Sequence, residues 1–431
     1  MLISYIKNLI KDKSVCILGF GREGQSTFNT FKKAGGYKEI TICDLNKVEC
    51  DGALAVTGEN YQKNLDRFDI IMKSPGIVLE EGALTDLSRL YSQTEIFLSV
   101  YREQTIGITG TKGKSTTSSL TYHVLKQCGK KVQLLGNIGI PAFDGNVEKD
   151  DTVVFELSSH QLEYTDVSPK RAVLLNIFPE HLDHYGTFEK YYDAKKNIFR
   201  YQQEGDILIC GEDTTPQEKC LSTVFVFGKE SMVKICPSSF VVDGEEIVLD
   251  ETNPLLGEHN VNNIAVAYLL TKPYGITKEE FLKALSTFKT LPHRLERLGE
   301  KDGVTYYDDS ISTCSQTTIQ ALCSLKNVGT VLIGGMDRGI DYSPLVEFLA
   351  TATVPNVVFM YDTGKRIMAE FENKDHKFTS HYAQNLAEAV AIAKEVTPKG
   401  SICLLSPAAA SYGFFKNFED RGDQFKNLAL N

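Results

Sequence analysis

A glycine-rich string, Gly107-Ile-Thr-Gly-Thr-Lys-Gly-Lys-Ser-Thr116, constrains this chain more than any other stretch. Apolar residues precede it and a helical pattern over Ser115 to Cys128 follows, so it reads as the turn of a strand–loop–helix unit. Glycines let backbone N–H groups approach phosphate oxygens, Lys114 adds a point charge for the outer phosphates, and Ser115 offers a hydroxyl to Mg2+ where the helix starts. Gly110, Thr111, Lys112, Gly113, Lys114, Ser115 and Thr116 are therefore the expected cradle of a nucleoside triphosphate. The strict spacing G-x-x-x-x-G-K-[ST] would want glycine where Ile108 stands, so this is a variant of that loop, one residue off. An inert linker of similar composition would not need the flanking strand and helix.

With 431 residues the chain exceeds a single core, and two or three domains are expected. Apolar residues at 42% and charged residues at 24% fit an ordinary soluble globular protein. The net charge of −10 argues against nucleic acid or an anionic membrane as the main partner, so any anionic ligand needs local cations. Ten cysteines occur without a C-x-x-C pair or a Cys/His cluster at zinc spacing, which points to a reduced cytoplasmic chain. Lysines at positions 7, 11 and 13 interrupt the apolar residues at the N-terminus, which reads as a short amphipathic helix rather than a signal peptide or a membrane span.

Strand and helix signals alternate along the chain, which predicts the α/β class. Residues 1–98 form a Rossmann-like block: a strand at Ser14 to Phe20, a helix at Gln25 to Lys33, and strands at Glu39 to Cys43 and Phe68 to Lys73. Within it, Gly19-Phe-Gly-Arg-Glu-Gly24 is G-x-G-x-x-G, followed about 20 residues later by Asp44. That pattern suits NAD, a uridine diphosphate, or simply a tight strand-to-helix turn. Residues 99–290 form a larger parallel-sheet block with strands at Thr152 to Leu157 and Ala172 to Asn176 and helices at Phe188 to Arg200 and Asn260 to Leu270. Residues 291–431 alternate again and predict a doubly wound, Rossmann-like sheet.

Several polar groups fall at predicted strand ends, where parallel sheets hold ligands. The strand Thr152 to Leu157 delivers Glu156 and then Ser159 at its C-terminal end, and His181 lies beyond the strand that delivers Asn176. Such an acid suits a metal, and such a histidine suits a metal or a phosphate. Lys195 reads equally as a solvated surface lysine. Asn260 and Asn263 read as a helix cap or as amides facing a nucleotide, and Arg294 as a γ-phosphate clamp or a surface ion pair.

Taken in order, GTKGKST, ELSSHQLE, NIFPEHLDHYGTFEKYYDAKKNIF, GEHNVNNIAVA, LPHRLE, YYDDSIST, LIGGMDRGIDYSPL and LLSPAAASYGFFKNFEDRGDQF make the whole chain resemble the Mur ligase superfamily. The resemblance implies three domains, for a UDP-precursor, ATP and an amino acid respectively, in a monomer. It implies ATP-driven ligation of glutamate to UDP-N-acetylmuramoyl-L-alanine through an acyl phosphate. Lys114, His181, Lys195 and Arg294 would be catalytic. Ser115, Glu156, His181 and Lys195, the last as a carbamate, would hold Mg2+, and Asn260, Asn263, Arg294 and Asp309 would meet ATP. Phe20, Gly21, Arg22, Asp44, Ser74, Asn137, Ser159 and His181 would contact the UDP-precursor.

The resemblance also implies glutamate contacts at Thr313, Arg338, Ser411 and Phe418, with two departures nearby. Ile311 stands where the family has a lysine, and Arg338 stands where a second lysine is usual. A further departure is Lys112, for the usual asparagine. D-glutamate is the expected acceptor. L-glutamate, another stem residue, a folylpolyglutamate-type reaction, a dehydrogenase and a nucleotide-switched regulator are the alternatives. Closure on substrates is expected at hinges near Val100 and Leu291.

Overall fold

The computed structural model describes residues 1–250, 252–372 and 374–431. It divides into two compact units, Met1–Asp250 with Val261–Phe288, and Glu251–Asn260 with Lys289–Asn431.

The first unit holds two sheets. One is a parallel sheet of β1 (Ser14–Leu18), β2 (Glu39–Asp44), β3 (Leu54–Thr57), β4 (Ile70–Lys73) and β5 (Leu90–Tyr91), in the order β3-β2-β1-β4-β5. The chain reverses its winding beside β1, which makes the C-terminal end of that strand the natural crevice. The amphipathic helix Leu2–Ile10 buries Leu2, Ile6 and Ile10, as the lysine spacing predicts.

The other sheet has nine strands: β6 (Thr105–Thr109), β7 (Val132–Gly136), β8 (Thr152–Glu156), β9 (Arg171–Leu174), β10 (Ile207–Gly211), β11 (Thr223–Gly228), β12 (Val233–Ile235), β13 (Ser239–Val242) and β14 (Glu245–Val248). Strands β6 and β8 are buried at every position, as expected for a sheet covered on both faces. The sheet is not wholly parallel, because β13 pairs antiparallel with both β12 and β14. Asp243 and Gly244, at φ +53° and +81°, form the two-residue turn between β13 and β14. Asp-Gly is a strong hairpin signal because both central residues of such a turn need positive φ.

The second unit carries β15 (Glu296–Lys301), β16 (Val304–Asp308), β17 (Val328–Gly334), β18 (Asn356–Met360), β19 (Thr379–Ala383) and β20 (Ile402–Leu405), in the order β15-β16-β20-β17-β18-β19. Only β15 runs antiparallel, entering β16 through a second Asp-Gly turn at Asp302 and Gly303. No helix among the described residues is long and apolar enough to cross a membrane.

Candidate active site

The residues singled out in the first unit gather at the C-terminal ends of its parallel strands. The strand β6 leads into Gly110 to Gly113, and the helix Lys114–Gln127 follows. Gly113 has φ +84°, and a Cβ there would lie 2.5 Å from Asn263 Oδ1, so only glycine fits. Asn263 also accepts from Thr117 Oγ1 at 3.1 Å, which places its amide against this loop. Lys114 Nζ donates to the carbonyls of Gly110 and Thr111, both at 2.9 Å. Ser115 is the second residue of the helix and Thr116 is buried in its first turn.

Asn176, beyond β9, clamps this loop. Its Oδ1 accepts from Lys112 N at 2.8 Å and its Nδ2 donates to Lys112 O at 3.0 Å, while its own carbonyl accepts from Thr111 N. Phe178 N donates to Thr111 Oγ1 at 3.0 Å. The sequence reading used Asn176 only to mark a strand end. Its paired bonds to one backbone position depend on contact across 64 residues, which no local pattern carries. Lys112 Nζ meets Glu180 at 2.6 Å, which holds the Glu180 carboxyl below the usual range against the opposing effect of burial.

Glu156 ends β8 fully buried. Its Oε1 accepts from Asn137 Nδ2 at 2.8 Å, and its Oε2 is buried with no hydrogen-bond partner among the described residues. A buried carboxylate oxygen in that state calls for a cation. Lys195 is not the solvated lysine that was one of its two readings: it is 1% exposed. Its Nζ donates to Gly110 O at 2.9 Å and to Thr109 Oγ1 at 3.2 Å. Burial first, and then the nearby Lys114 charge, push its pKa far below the ordinary lysine value. That shift favours the neutral, nucleophilic amine, the form that adds carbon dioxide to become a carbamate. With Ser115 nearby, the donor set fits Mg2+, a hard cation that takes oxygen ligands.

His181 lies beyond β9 at φ +55°, a left-handed conformation for a non-glycine residue. Its ring centroid is 4.8 Å from that of His160, which in turn is 4.4 Å from that of His184. Burial pushes the His160 pKa down to about 4, with its two histidine neighbours acting the same way. Ser159 is buried at the start of the same short helix.

On the five-stranded sheet, Phe20 and Gly21 follow β1, Asp44 ends β2 and Ser74 follows β4. Asp44 Oδ2 accepts from Phe20 N at 2.7 Å and its Oδ1 from Asn46 N at 2.8 Å, so the acid braces the loops of two strands. Ser74 Oγ donates to Gly19 O at 2.8 Å. A Cβ on Gly24 would sit 2.1 Å from that same carbonyl, so this glycine serves close helix–strand packing. Arg22 Nη2 donates to Gly136 O at 3.1 Å, which ties this sheet to the Asn137 loop.

In the second unit, the loops leaving β16, β17 and β20 converge. Asp309 is 5% exposed and accepts from Ser406 Oγ at 2.8 Å, Ser312 Oγ at 2.5 Å and Leu295 N at 3.2 Å. Burial raises its pKa to about 6 even though these bonds and the Arg294 charge oppose the shift. Arg294 also acts electrostatically on His259, whose pKa is lowered mainly by burial. Asn260 Nδ2 donates to Leu256 O at 2.7 Å, closing the turn before its helix.

Thr313, Ser411 and Phe418 lie on segments that Arg421 ties together. Its guanidinium donates to Ser310 Oγ at 2.9 Å, Ser310 O at 2.7 Å and Ala409 O at 3.0 Å. Ser310 Oγ donates in turn to Phe418 O at 2.8 Å. Arg338 is exposed two residues beyond Met336, whose N–H donates to Ala410 O at 2.9 Å. The sequence reading passed over Arg421. An arginine with no exposed surface, its pKa lowered to about 10 by burial, is a structural keystone visible only in three dimensions.

Residues 108–271 match the family model described as the Mur ligase middle domain. A UDP-N-acetylmuramoylalanine–D-glutamate ligase from Clostridium botulinum is 32% identical over 99% of this chain and 98% of its own. The chain belongs to the Mur ligase family. A second ligase of the same name, from Clostridium acetobutylicum, is 33% identical over 98% of this chain and 97% of its own. Among solved structures, MurC from Thermotoga maritima shares the fold with a TM-score of 0.63 at 19% identity, covering 96% of this chain and 98% of its own. MurF from Thermotoga maritima, in complex with ADP, gives 0.63 at 17% identity, covering 99% and 97%. This Mur ligase is accordingly an ATP-dependent ligase rather than a dehydrogenase or a nucleotide-switched regulator.

Proposed function

We propose that the chain joins D-glutamate to UDP-N-acetylmuramoyl-L-alanine at the expense of ATP, in the cytoplasm and as a monomer. The observation that carries this reading is a buried Glu156 oxygen without a hydrogen-bond partner among the described residues and a buried Lys195 amine, both beside a glycine-built phosphate loop. The full-length relatives support the substrates. Residues 1–98 would hold the UDP-precursor, 99–290 the ATP and 291–431 the amino acid.

In this reading the γ-phosphoryl group of ATP passes to the alanyl carboxylate, releasing ADP and forming an acyl phosphate. The glutamate amine attacks that carbonyl, gives up a proton, and the tetrahedral adduct expels phosphate to leave the amide. Backbone N–H groups of Gly110 to Gly113, with Lys114 and Arg294, would neutralise charge on the transferring group, and positioning does most of the rest. Ser115, Glu156, His181 and carbamylated Lys195 would hold Mg2+, which supplies charge neutralisation at the phosphates when bound. Asn137, Ser159 and His181 would orient the muramoyl-alanine end, and Asp44, Phe20, Gly21, Arg22 and Ser74 the uridine diphosphate. Asn260, Asn263 and Asp309 would meet the rest of ATP, and Thr313, Arg338, Ser411 and Phe418 the glutamate.

The test is phosphate release from ATP and Mg2+ with UDP-N-acetylmuramoyl-L-alanine, comparing the two glutamate enantiomers. Release that depends on D-glutamate is expected. Release with L-glutamate alone would overturn the stereochemical assignment, and release with neither would overturn the substrate.

A further inference from the structure

His293 and Asp308 each precede a residue assigned above to ATP, namely Arg294 and Asp309. Their side chains meet: His293 Nδ1 and Asp308 Oδ2 are 2.7 Å apart, with the histidine 7% exposed and the aspartate fully buried. Three more bonds surround this one. His293 N donates to Glu296 Oε2 at 2.9 Å, Leu295 N to Asp309 Oδ1 at 3.2 Å and Ile311 N to His293 O at 3.2 Å.

The backbone of the first segment is held in an unfavourable form. His293 has φ +60° and Leu295 φ +47°, each left-handed for a residue with a Cβ. Such residues cost on the order of 1 kcal/mol or more apiece and persist only where surrounding contacts over-determine them. The helix Phe418–Leu430 covers the pair. A Cβ on Gly422 would lie 2.1 Å from His293 Nδ1 and 2.4 Å from Asp308 Oδ2, so only glycine lets the helix backbone close over it. The donor atoms of His293, Glu296 and Asp308 lie within 4.8 Å of one another, as a metal set would. The 2.7 Å bond, however, already engages Nδ1, and Gly422 fills the space beside it.

We infer that His293 and Asp308 are a positioning pair for the nucleotide. By joining side chains they hold two separate segments so that Arg294 and Asp309 face ATP in fixed register, and strain in the first segment is the cost of aiming the guanidinium. The inference rests on the ATP-dependent reading above. Neither residue touches ATP in this scheme, so neither is catalytic.

The experiment uses the full chain and measures Kd for a fluorescent ATP analogue, KM for ATP and for the UDP-precursor, kcat and Tm, in His293→Leu, His293→Asn and Asp308→Ala. Breaking a buried hydrogen bond at a cost of 1–3 kcal/mol is expected to raise ATP Kd and KM about tenfold in His293→Leu and Asp308→Ala. The KM for the precursor stays unchanged. Asparagine tolerates left-handed φ and puts an amide donor near the Nδ1 position, so His293→Asn should recover most of the loss. Asp308→Ala carries no such backbone strain and reports on the pair even where His293→Leu folds poorly. The inference is overturned if ATP Kd and KM stay at wild-type values in Asp308→Ala, or if Tm falls while every KM is unchanged. Wild-type protein that binds the analogue but forms no amide would retire the ligase reading and leave the pair to be judged by Kd; wild-type protein that binds no nucleotide would overturn both.

Discussion

Around the phosphate loop the working groups are backbone amides, and what shapes them is glycine at positions 110 and 113 with one clamping amide at Asn176. Around residues 308–313 the segment is shaped by side chains from distant parts of the chain: Arg421 on Ser310, Ser406 on Asp309, His293 on Asp308. A phosphate is recognised by geometry that a short peptide can adopt by itself. A cluster assembled from three strand ends, the one proposed to take the amino acid, has no such local solution, and its precision depends on buried polar contacts whose members must all be present.

The largest effect should come from Lys195→Ala. If the buried amine is the precursor of a metal-holding carbamate, kcat should fall by about 10^2- to 10^3-fold with little change in Tm, since losses of that order follow removal of one preorganised electrostatic group. Phosphate release with and without added bicarbonate checks this, and activity within tenfold of wild type would sink the assignment. Arg421→Leu attacks the other region. It strands Ser310 O and Ala409 O in a dry interior and should cost about 2–4 kcal/mol. Denaturant unfolding should register that loss together with a raised KM for glutamate; a stable variant with normal glutamate kinetics would show the keystone to be dispensable.

The smallest effect concerns Asp309. Its folded pKa of about 6 lies above the ordinary 3.8, so the folded chain binds a proton that the unfolded chain releases between those values. The stability it contributes is therefore fullest below pH 3.8, declines as pH rises toward 6 and is gone above it. Relative to Asp309→Asn, the wild type should lose stability over that interval. Its affinity for ATP should rise over the same interval as the carboxylate ionises. Flat difference curves between pH 4 and 7 would remove Asp309 from the titrating groups.

These contrasts also explain what was readable in the sequence. The glycine loop, the strand leading to Glu156 and the helix Phe188–Arg200 follow from periodicity and from residues whose backbone preferences are local. The Asp243-Gly244 and Asp302-Gly303 hairpins carried an equally local signal that a search for parallel strands passed over. The burial of Lys195 was not legible, because a lysine on an amphipathic helix looks the same whether its face meets solvent or a phosphate loop. Arg421, Asn176 and the His293–Asp308 pair were not legible either, since their partners lie 12 to 111 residues away.

The contact between Arg421 and Ser310 has a consequence in time. During synthesis the two residues emerge 111 positions apart, and at roughly 5–20 residues per second Ser310 waits on the order of ten seconds for its partner. Throughout that interval the phosphate loop, whose ties to Asn176 and Lys195 lie upstream of Ser310, already has its own partners to fold against. On the proposed assignment of the two regions, a nascent chain would thus acquire its grip on a nucleotide well before it has anywhere to seat an amino acid.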